Sequence, residues 1–479
     1  MSTILKRTLV IAGLLSLVLH AAYLVRLFDL SAATGVDLWA SGDTGTYLGY
    51  ADALVRGNPP NPVYRERVLL PLLIAAFQKA GAEPQSVLWV VVLLEPLVVY
   101  CLGFFAWKLF GNPWIAGLSA LAYVFYPNSY GRGGLVDTDM LHAQLTVVAL
   151  TATFCWWKEG RGRALAGAIP LWILLQLLRP TMYLAVVPLA ILAIDVVRRY
   201  GTWRSAVALI ASLLVVPTVM ASHNWRAHDV ASPSLLQAEN LWVWMLPRIK
   251  TEQRNLTEPA PLSVLFAEEQ EKARSSQVWK DFHNHGNDIS RVGPAYRQLI
   301  GESKAFMATN TSWVIRTCWT ELRRQVSAPP QFYLHEAMHK DLRSLQSLAD
   351  SAHILVLFLL PLGVAYSLRQ CAPAWILFMV VFVAMIMGPA TIVAWWQGSK
   401  YRLLADVIVI PWIVLAAVQP LTWGLVAAFV TIGYFPRRFL GAPAAWFTVS
   451  GIVLCAIGSA LVATRSLAGK NRVSNHEVD

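Results

Sequence analysis

Three carboxylates and three cations stand out in this chain, each in a short polar stretch at the edge of an apolar run. Asp43 lies in "ASGDTGTYLGYADALVRGNPPN" (Ala40–Asn61), and Asp137 and Asp139 lie in "GGLVDTDMLH" (Gly133–His142). Arg179 sits in "LLRPTM" (Leu177–Met182), and Lys400 and Arg402 sit in "QGSKYRLL" (Gln397–Leu404). A carboxylate in this setting suits deprotonation of a hydroxyl or amine. The cations suit a phosphate or pyrophosphate, which arginine can grip through two parallel N–H donors. Each residue also has a plainer role. Asp43 precedes "TYLGYADAL" and fits a helix N-cap, and the Asp137/Asp139 pair can complement the positive end of the following helix. Arg179 and Lys400 can reach to lipid headgroups, and His142 can be a packing histidine.

The elements that must position these residues are membrane helices. The chain has 479 residues, 56% hydrophobic and only 14% charged, with a mean hydropathy of +0.50. Soluble proteins carry about a quarter charged residues, so a polytopic helical membrane protein is expected. The net charge of +11 fits basic cytoplasmic loops rather than nucleic-acid binding. Cys101, Cys155, Cys318, Cys371 and Cys455 are scattered, so no disulfide framework is expected. No internal repeat, Walker motif, Rossmann glycine pattern or CxxC pair is present.

Lys6 and Arg7 precede the first apolar run, about Leu9 to Phe28, which reads as a retained signal anchor with a cytoplasmic N-terminus. "VLLPLLIAAFQKA" (Val68–Ala80) is too short to cross, since its helix spans about 20 Å against a hydrocarbon core of about 30 Å. It is expected to lie at the interface. Later spans fall near Ser86–Phe110, Trp114–Tyr130, Leu141–Trp157, Ala164–Leu178, Met182–Val197 and Ala206–Ser222. With Val68–Ala80 not crossing, "KEGRGR" (Lys158–Arg163) and "RRYGTWR" (Arg198–Arg204) both fall inside. Ala40–Asn61, Gly131–Met140 and His223–Ser351 then share the outer face.

Further spans are expected near Ala352–Ser367, Ala374–Ala394, Leu403–Gln419, Leu421–Tyr434 and Trp446–Leu461, about twelve in all, with "PRRF" (Pro436–Phe439) placed outside against the charge rule. Three parts follow: residues 1–222, a transmembrane module bearing the catalytic outer loops; residues 223–351, an outer, largely helical segment; and residues 352–479, the last transmembrane helices and a cytoplasmic tail. Within the outer segment, Tyr296–Val326 spaces apolar residues as one amphipathic helix on the membrane surface. Asn255–Ser263 reads as loop, and the charged run Glu268–Arg274 as a solvated helix.

The order of these motifs resembles the GT-C superfamily of polyprenyl-phosphate-sugar-dependent glycosyltransferases, in particular the protein O-mannosyltransferase and lipid A aminoarabinose transferase branch. The first outer loop of that branch reads roughly D-x3-Y-x3-A-x2-L-x2-G and then an arginine before a proline. Here Asp43, Tyr47, Ala51, Leu54 and Gly57 are followed by Arg65 or Arg67 before Pro71. Asp137 and Asp139 match an acidic pair in the next outer loop, and Arg179, Pro180 and Thr181 match a K/R-P-T turn. "SHNWRAHDV", with Asn224, is a loose counterpart of a later asparagine segment. Lys400, Tyr401 and Arg402 match an RYR-x-P turn, with Ala405 and Asp406 in place of the proline context.

The resemblance implies an inverting transfer of a sugar from a polyprenyl-phosphate donor to a hydroxyl or amine of a glycan, lipid or protein acceptor. Asp43 would be the general base, Asp137 and Asp139 would position substrate, Asp43, Asp137 and Asp139 could together hold a divalent cation (Mg or Mn), and Arg179, Lys400 and Arg402 would bind the donor phosphate. Tyr47, Arg65, Arg67, His142 and Asn224 would position substrates. It also implies juxtamembrane helices in the first outer loop and a bacterial inner-membrane location, with the site facing the periplasm. Membrane lipids are the surrounding partners, no nucleic acid is expected, and no firm metal site is assigned. Two other classes fit the same cavity: a transporter or flippase of lipid-linked glycans, and an O-antigen-type polymerase. The first would favour ionisable residues inside the membrane, of which Glu95 and Asp195 are candidates; the second would depend on arginines rather than on Asp43.

Overall fold

The computed structural model describes residues 1–58, 67–160, 162–258, 260–283, 289–327, 361–368, 371–393 and 398–429, with isolated positions between 343 and 360 and between 453 and 460. Arg65, Trp395, Trp396, Cys455 and Pro436–Phe439 lie outside the described residues, as does most of the last expected span. Helices form the architecture, and no strand occurs among the described residues.

Among the described residues, five helical stretches are long and apolar enough to cross a membrane: Thr3–Thr34, Pro84–Phe110, Asp139–Glu159, Pro180–Tyr200 and Trp203–His228. Shorter apolar helices include Leu69–Lys79, Pro113–Val124 and Gly162–Leu178. The chain is a helical membrane protein. All five long stretches coincide with expected spans and start or end a few residues further out.

We number the helices in chain order. The first three are α1 (Thr3–Thr34), α2 (Thr44–Arg56) and α3 (Leu69–Lys79); then come α4 (Leu88–Phe110), α5 (Pro113–Val124), α6 (Pro127–Gly133) and α7 (Asp139–Glu159). The expected span Trp114–Tyr130 is therefore two helices, because Pro127 starts a new one at N1 after the turn at Phe125 and Tyr126. Next are α8 (Gly162–Leu178), α9 (Val186–Tyr200) and α10 (Trp203–His228).

α1, α4, α5 and α7 form the centre. α1 runs antiparallel to α4 and touches it closely: a Cβ on Gly13 would stand 3.0 Å from the Pro96 Cα, and one on Gly103 would stand 2.3 Å from a Leu9 methyl and 3.2 Å from the Ala116 carbonyl oxygen. Small residues permit this approach, as is usual for helices in lipid. α7 is the most enclosed of the long helices. Its Phe154 meets Trp375 edge-on at 4.5 Å, and Trp157 lies 5.3 Å from Trp375. That aromatic cluster ties the N-terminal bundle to two C-terminal helices, Pro373–Val393 and Gly398–Ala417.

The two ends of the bundle carry different sets of charged residues. At one end Lys108 pairs with Glu159 at 2.9 Å, Lys158 donates to the Lys108 carbonyl at 2.6 Å, and Arg199 pairs with Asp195 at 2.6 Å. At the other end stand the loops of Asp43, Asp137 and Arg179.

The segment after α10 has its own apolar core, in which Val230, Leu236, Val243, Trp279, Phe282, Val292 and Leu299 are buried. Its chain runs through Leu236–Glu239, a π-helical turn Asn240–Met245 and Leu246–Arg254, then Leu262–Ser275, Gln277–His283, Val292–Thr309 and Thr311–Ser327. The single amphipathic helix expected over Tyr296–Val326 is two helices. Asn310, at φ −120° and ψ 32°, ends the first, and its side-chain amide donates to the Phe306 carbonyl at 2.9 Å. The first helix joins the outer core, and the second packs on the two C-terminal helices. The expected solvated run Glu268–Arg274 is helical, but Glu269 is buried against Arg254 at 2.8 Å and Lys272 at 2.7 Å.

Candidate active site

Loops normally run over a protein's surface because their backbone groups need water. Here every residue from Asn128 to Gln144 is buried, including Arg132, Asp137, Thr138, Asp139 and His142. The loop that carries Asp43 packs over this stretch. Val136 donates its N–H to the Trp39 carbonyl at 2.9 Å and accepts the Thr44 hydroxyl on its carbonyl at 2.9 Å. Both backbone groups of one loop residue thus go to the other loop. Asp43 and Asp137 flank the Thr44–Val136 bond in their respective chains.

Asp43 occupies the N-cap position of α2, yet its side chain makes no capping bond there. The neighbouring Thr44 hydroxyl accepts the Ser41 N–H at 2.7 Å instead. The capping role is therefore not what holds this carboxylate. Tyr47, one turn on, is 1% exposed, and its hydroxyl accepts from Arg67 Nη1 at 3.2 Å. Arg67 enters from the start of α3, where the Val68 N–H donates to the Leu177 carbonyl at 3.0 Å. That bond sets α3 beside the end of α8, two residues before Arg179.

Asp137 does take the plainer role at one oxygen, since its Oδ1 accepts the Asp139 N–H at 2.9 Å at the start of α7. Asp139 forms an ion pair with Arg179, and Arg179 Nε also donates to the Thr138 hydroxyl at 3.3 Å. A carboxylate this enclosed is costly unless paired. The pair joins the acidic loop to the turn after α8, where the guanidinium remains about a quarter exposed (23%).

His142 lies one turn into α7 and is 4% exposed. Its N–H donates to the Thr138 carbonyl at 2.9 Å, and its Nε2 meets no hydrogen-bond partner among the described residues. Asn224 serves elsewhere: its amide donates to the Ser232 carbonyl at 2.8 Å, closing the turn after α10. Lys400 and Arg402 are in the first turn and a half of Gly398–Ala417, and their side chains lie outside the described atoms. Arg65 lies outside the described residues altogether. Among the described residues no group of three or more His, Cys, Asp and Glu side chains is spaced to hold a metal ion.

Sequence reasoning missed several contributors. Tyr126 donates to Asp406 Oδ2 at 2.5 Å, anchoring the Lys400/Arg402 helix to the α5–α6 turn. Thr44 and Thr138 make the bonds just described, and Arg132 is a buried cation in α6. Only Asp406 had a signal, as a polar residue in an apolar span; the threonine bonds join residues far apart in sequence.

No protein-family model matches the chain, and no curated protein matches it. Among solved structures it is similar to the archaeal oligosaccharyltransferase AglB from Archaeoglobus fulgidus, solved in complex with an inhibitory peptide and a dolichol-phosphate, at 12% sequence identity and a TM-score of 0.47. That match covers 97% of this chain and 56% of the other, so the chain spans little more than half the length of the protein it resembles.

Proposed function

We propose that the protein is an inverting glycosyltransferase that moves a sugar from a polyprenyl phosphate to an acceptor hydroxyl or amine at the outer face of a bacterial inner membrane, which the chain crosses about twelve times. What carries the reading is the buried acidic loop around Val136, clamped to the Asp43 loop and paired through Asp139 with Arg179. The order of the outer-loop motifs in the sequence supports it as well.

In this reading Asp43 takes the acceptor proton while the acceptor oxygen or nitrogen attacks the anomeric carbon. The bond from that carbon to the phosphate oxygen breaks, and its electron pair leaves on the polyprenyl phosphate. Asp139 and Thr138 orient the Arg179 guanidinium, which with Lys400 and Arg402 stabilises the phosphate charge. Phosphate is a good leaving group, so no strong acid is required. Asp137 shapes the loop, and Arg67 and Tyr47 fix α2 beneath the acceptor.

Asp43→Asn tests the assignment. Turnover of a polyprenyl-phosphate sugar by the purified protein is expected to fall about 10²- to 10⁴-fold, the usual contribution of a general base, with the thermal midpoint unchanged. Mass spectrometry of envelope glycoconjugates from cells carrying the variant should show the same missing sugar as cells lacking the protein. Full activity of Asp43→Asn rejects the mechanism.

A further inference from the structure

Glu95 is completely buried on α4, a helix of otherwise almost wholly apolar residues. Three donors converge on it from three other helices. The Ser16 hydroxyl of α1 reaches Oε2 at 2.7 Å, while the Tyr123 hydroxyl of α5 and the Gln144 amide of α7 reach Oε1 at 3.1 and 2.7 Å. Gln144 also donates to the Val91 carbonyl at 2.8 Å, so its nitrogen rather than its oxygen faces Glu95. Three donors suit an ionised carboxylate, which only accepts.

The matching partner is His20. Its Nδ1 stands 3.7 Å from Glu95 Oε2, and the ring is buried. Nδ1 is also 3.0 Å from the Ser16 carbonyl, an acceptor only, so Nδ1 carries a proton. The Ser16 hydroxyl, 3.3 Å away, directs its own proton to Glu95 and shows His20 a lone pair. On the other side, Nε2 lies 3.3 Å from the Ser129 hydroxyl oxygen, whose proton goes to the Tyr126 carbonyl at 2.7 Å. With the Ser129 proton on the Tyr126 carbonyl, both ring nitrogens face acceptors, the arrangement that an imidazolium requires. It stacks on Tyr130 at 4.1 Å and 9°, an aromatic face suited to a cation. The other ionisable groups around the pair are the phenols of Tyr123 and Tyr130, with Tyr23 behind Tyr130 at 5.8 Å.

We infer that His20 and Glu95 form a buried imidazolium–carboxylate pair that positions the outer acidic loop and the cationic turn. The route is continuous. His20 holds Ser129, Ser129 holds the Tyr126 carbonyl, and the Tyr126 hydroxyl holds Asp406, one helical turn beyond Arg402. From the same turn α6 leads directly into residues 135–139. The ion pair stands independently of the transfer reading; its consequence for turnover rests on that reading.

Solid-state NMR of the ¹⁵N-histidine-labelled protein in lipid bilayers tests the pair directly, with the His20 signals identified by their loss in His20→Gln. If that variant does not assemble, the ring is assigned from its through-space correlation to Tyr130. Both His20 ring nitrogens are expected at protonated shifts, with Glu95→Gln returning one to the unprotonated position. An unprotonated nitrogen in the wild type overturns the pair whether or not transfer occurs. Turnover tests the positioning role. His20→Gln and Glu95→Gln are each expected to lower kcat about tenfold or more with little change in KM, because each leaves one buried charge unmatched. The double variant, with neither charge, is expected to exceed the product of the two single losses in retained activity. Additive losses overturn the positioning role. A wild-type protein that transfers no sugar from any polyprenyl phosphate counts against the proposed function and leaves the NMR result standing.

Discussion

Arg179 shows how a single side chain unites two pieces of the site. Its fork meets the Asp139 carboxylate and the Thr138 hydroxyl, both on the far side of the acidic loop. Lysine keeps the charge but has no planar fork to satisfy both partners. Arg179→Lys is therefore expected to raise KM for the donor roughly tenfold while keeping measurable kcat, and Arg179→Ala to lower kcat/KM by at least about 100-fold, on the scale of a lost charge-assisted contact in a low-dielectric site. Steady-state kinetics with a water-soluble short-chain donor checks both; equal donor KM for wild type and Arg179→Lys refutes the oriented fork. The residue types at Asp43, Asp137, Asp139 and Arg179 were legible because charged residues beside apolar runs are rare. Their partners were not. Thr44 and Val136 are 92 positions apart, and nothing local in either stretch announces the bond.

At the scale of elements, the apolar runs located the long helices because a membrane span leaves a strong compositional mark. Their interruptions left weaker marks. Pro127 predicts a helix start by its fixed φ, whereas the break at Asn310 comes from one asparagine amide folding back on its own helix. The outer segment also carries an ion network whose pH response can be derived. Hydrogen bonds from Arg254 hold the Glu258 carboxyl below the usual carboxylate range. Burial pushes Glu269 upward, but the bonds from Lys272 and Arg254 outweigh it and leave that carboxyl lowered too. A carboxylate lowered in the folded state stabilises at pH above its unfolded value of about 4.5, and that stability disappears as pH falls through the folded value. Between pH 7 and pH 3 the outer segment is expected to lose thermal stability, and Arg254→Gln is expected to flatten that dependence while lowering the midpoint at pH 7. Unfolding followed by tryptophan fluorescence (Trp279 lies in this core) reads both curves. An unchanged slope in Arg254→Gln contradicts the network.

For the molecule as a whole, the placement of charged residues at its two ends is the feature with the widest reach. Lys108, Lys158 and Arg199 gather at one end with Glu159 and Asp195. Asp195, one of the two acidic residues that a transporter reading could use, is thereby neutralised by Arg199 and by the Trp157 indole N–H at 2.8 Å. Glu95, the other, is enclosed by four helices. Cysteine introduced at Ser41, on the Asp43 loop, is expected to react with a membrane-impermeant maleimide added outside intact spheroplasts, and cysteine introduced at Arg204 only after permeabilisation. The reverse pattern overturns the outward placement of the site.

The double use of Val136 also bears on biogenesis. Because both of its main-chain groups are claimed by residues 39 and 44, the acidic loop acquires its shape only when the first hairpin is already seated. The guanidinium that neutralises it emerges from the ribosome some forty residues later. A nascent chain halted between these points would hold an enclosed carboxylate awaiting its counter-charge, a natural moment for an insertase or chaperone to remain engaged.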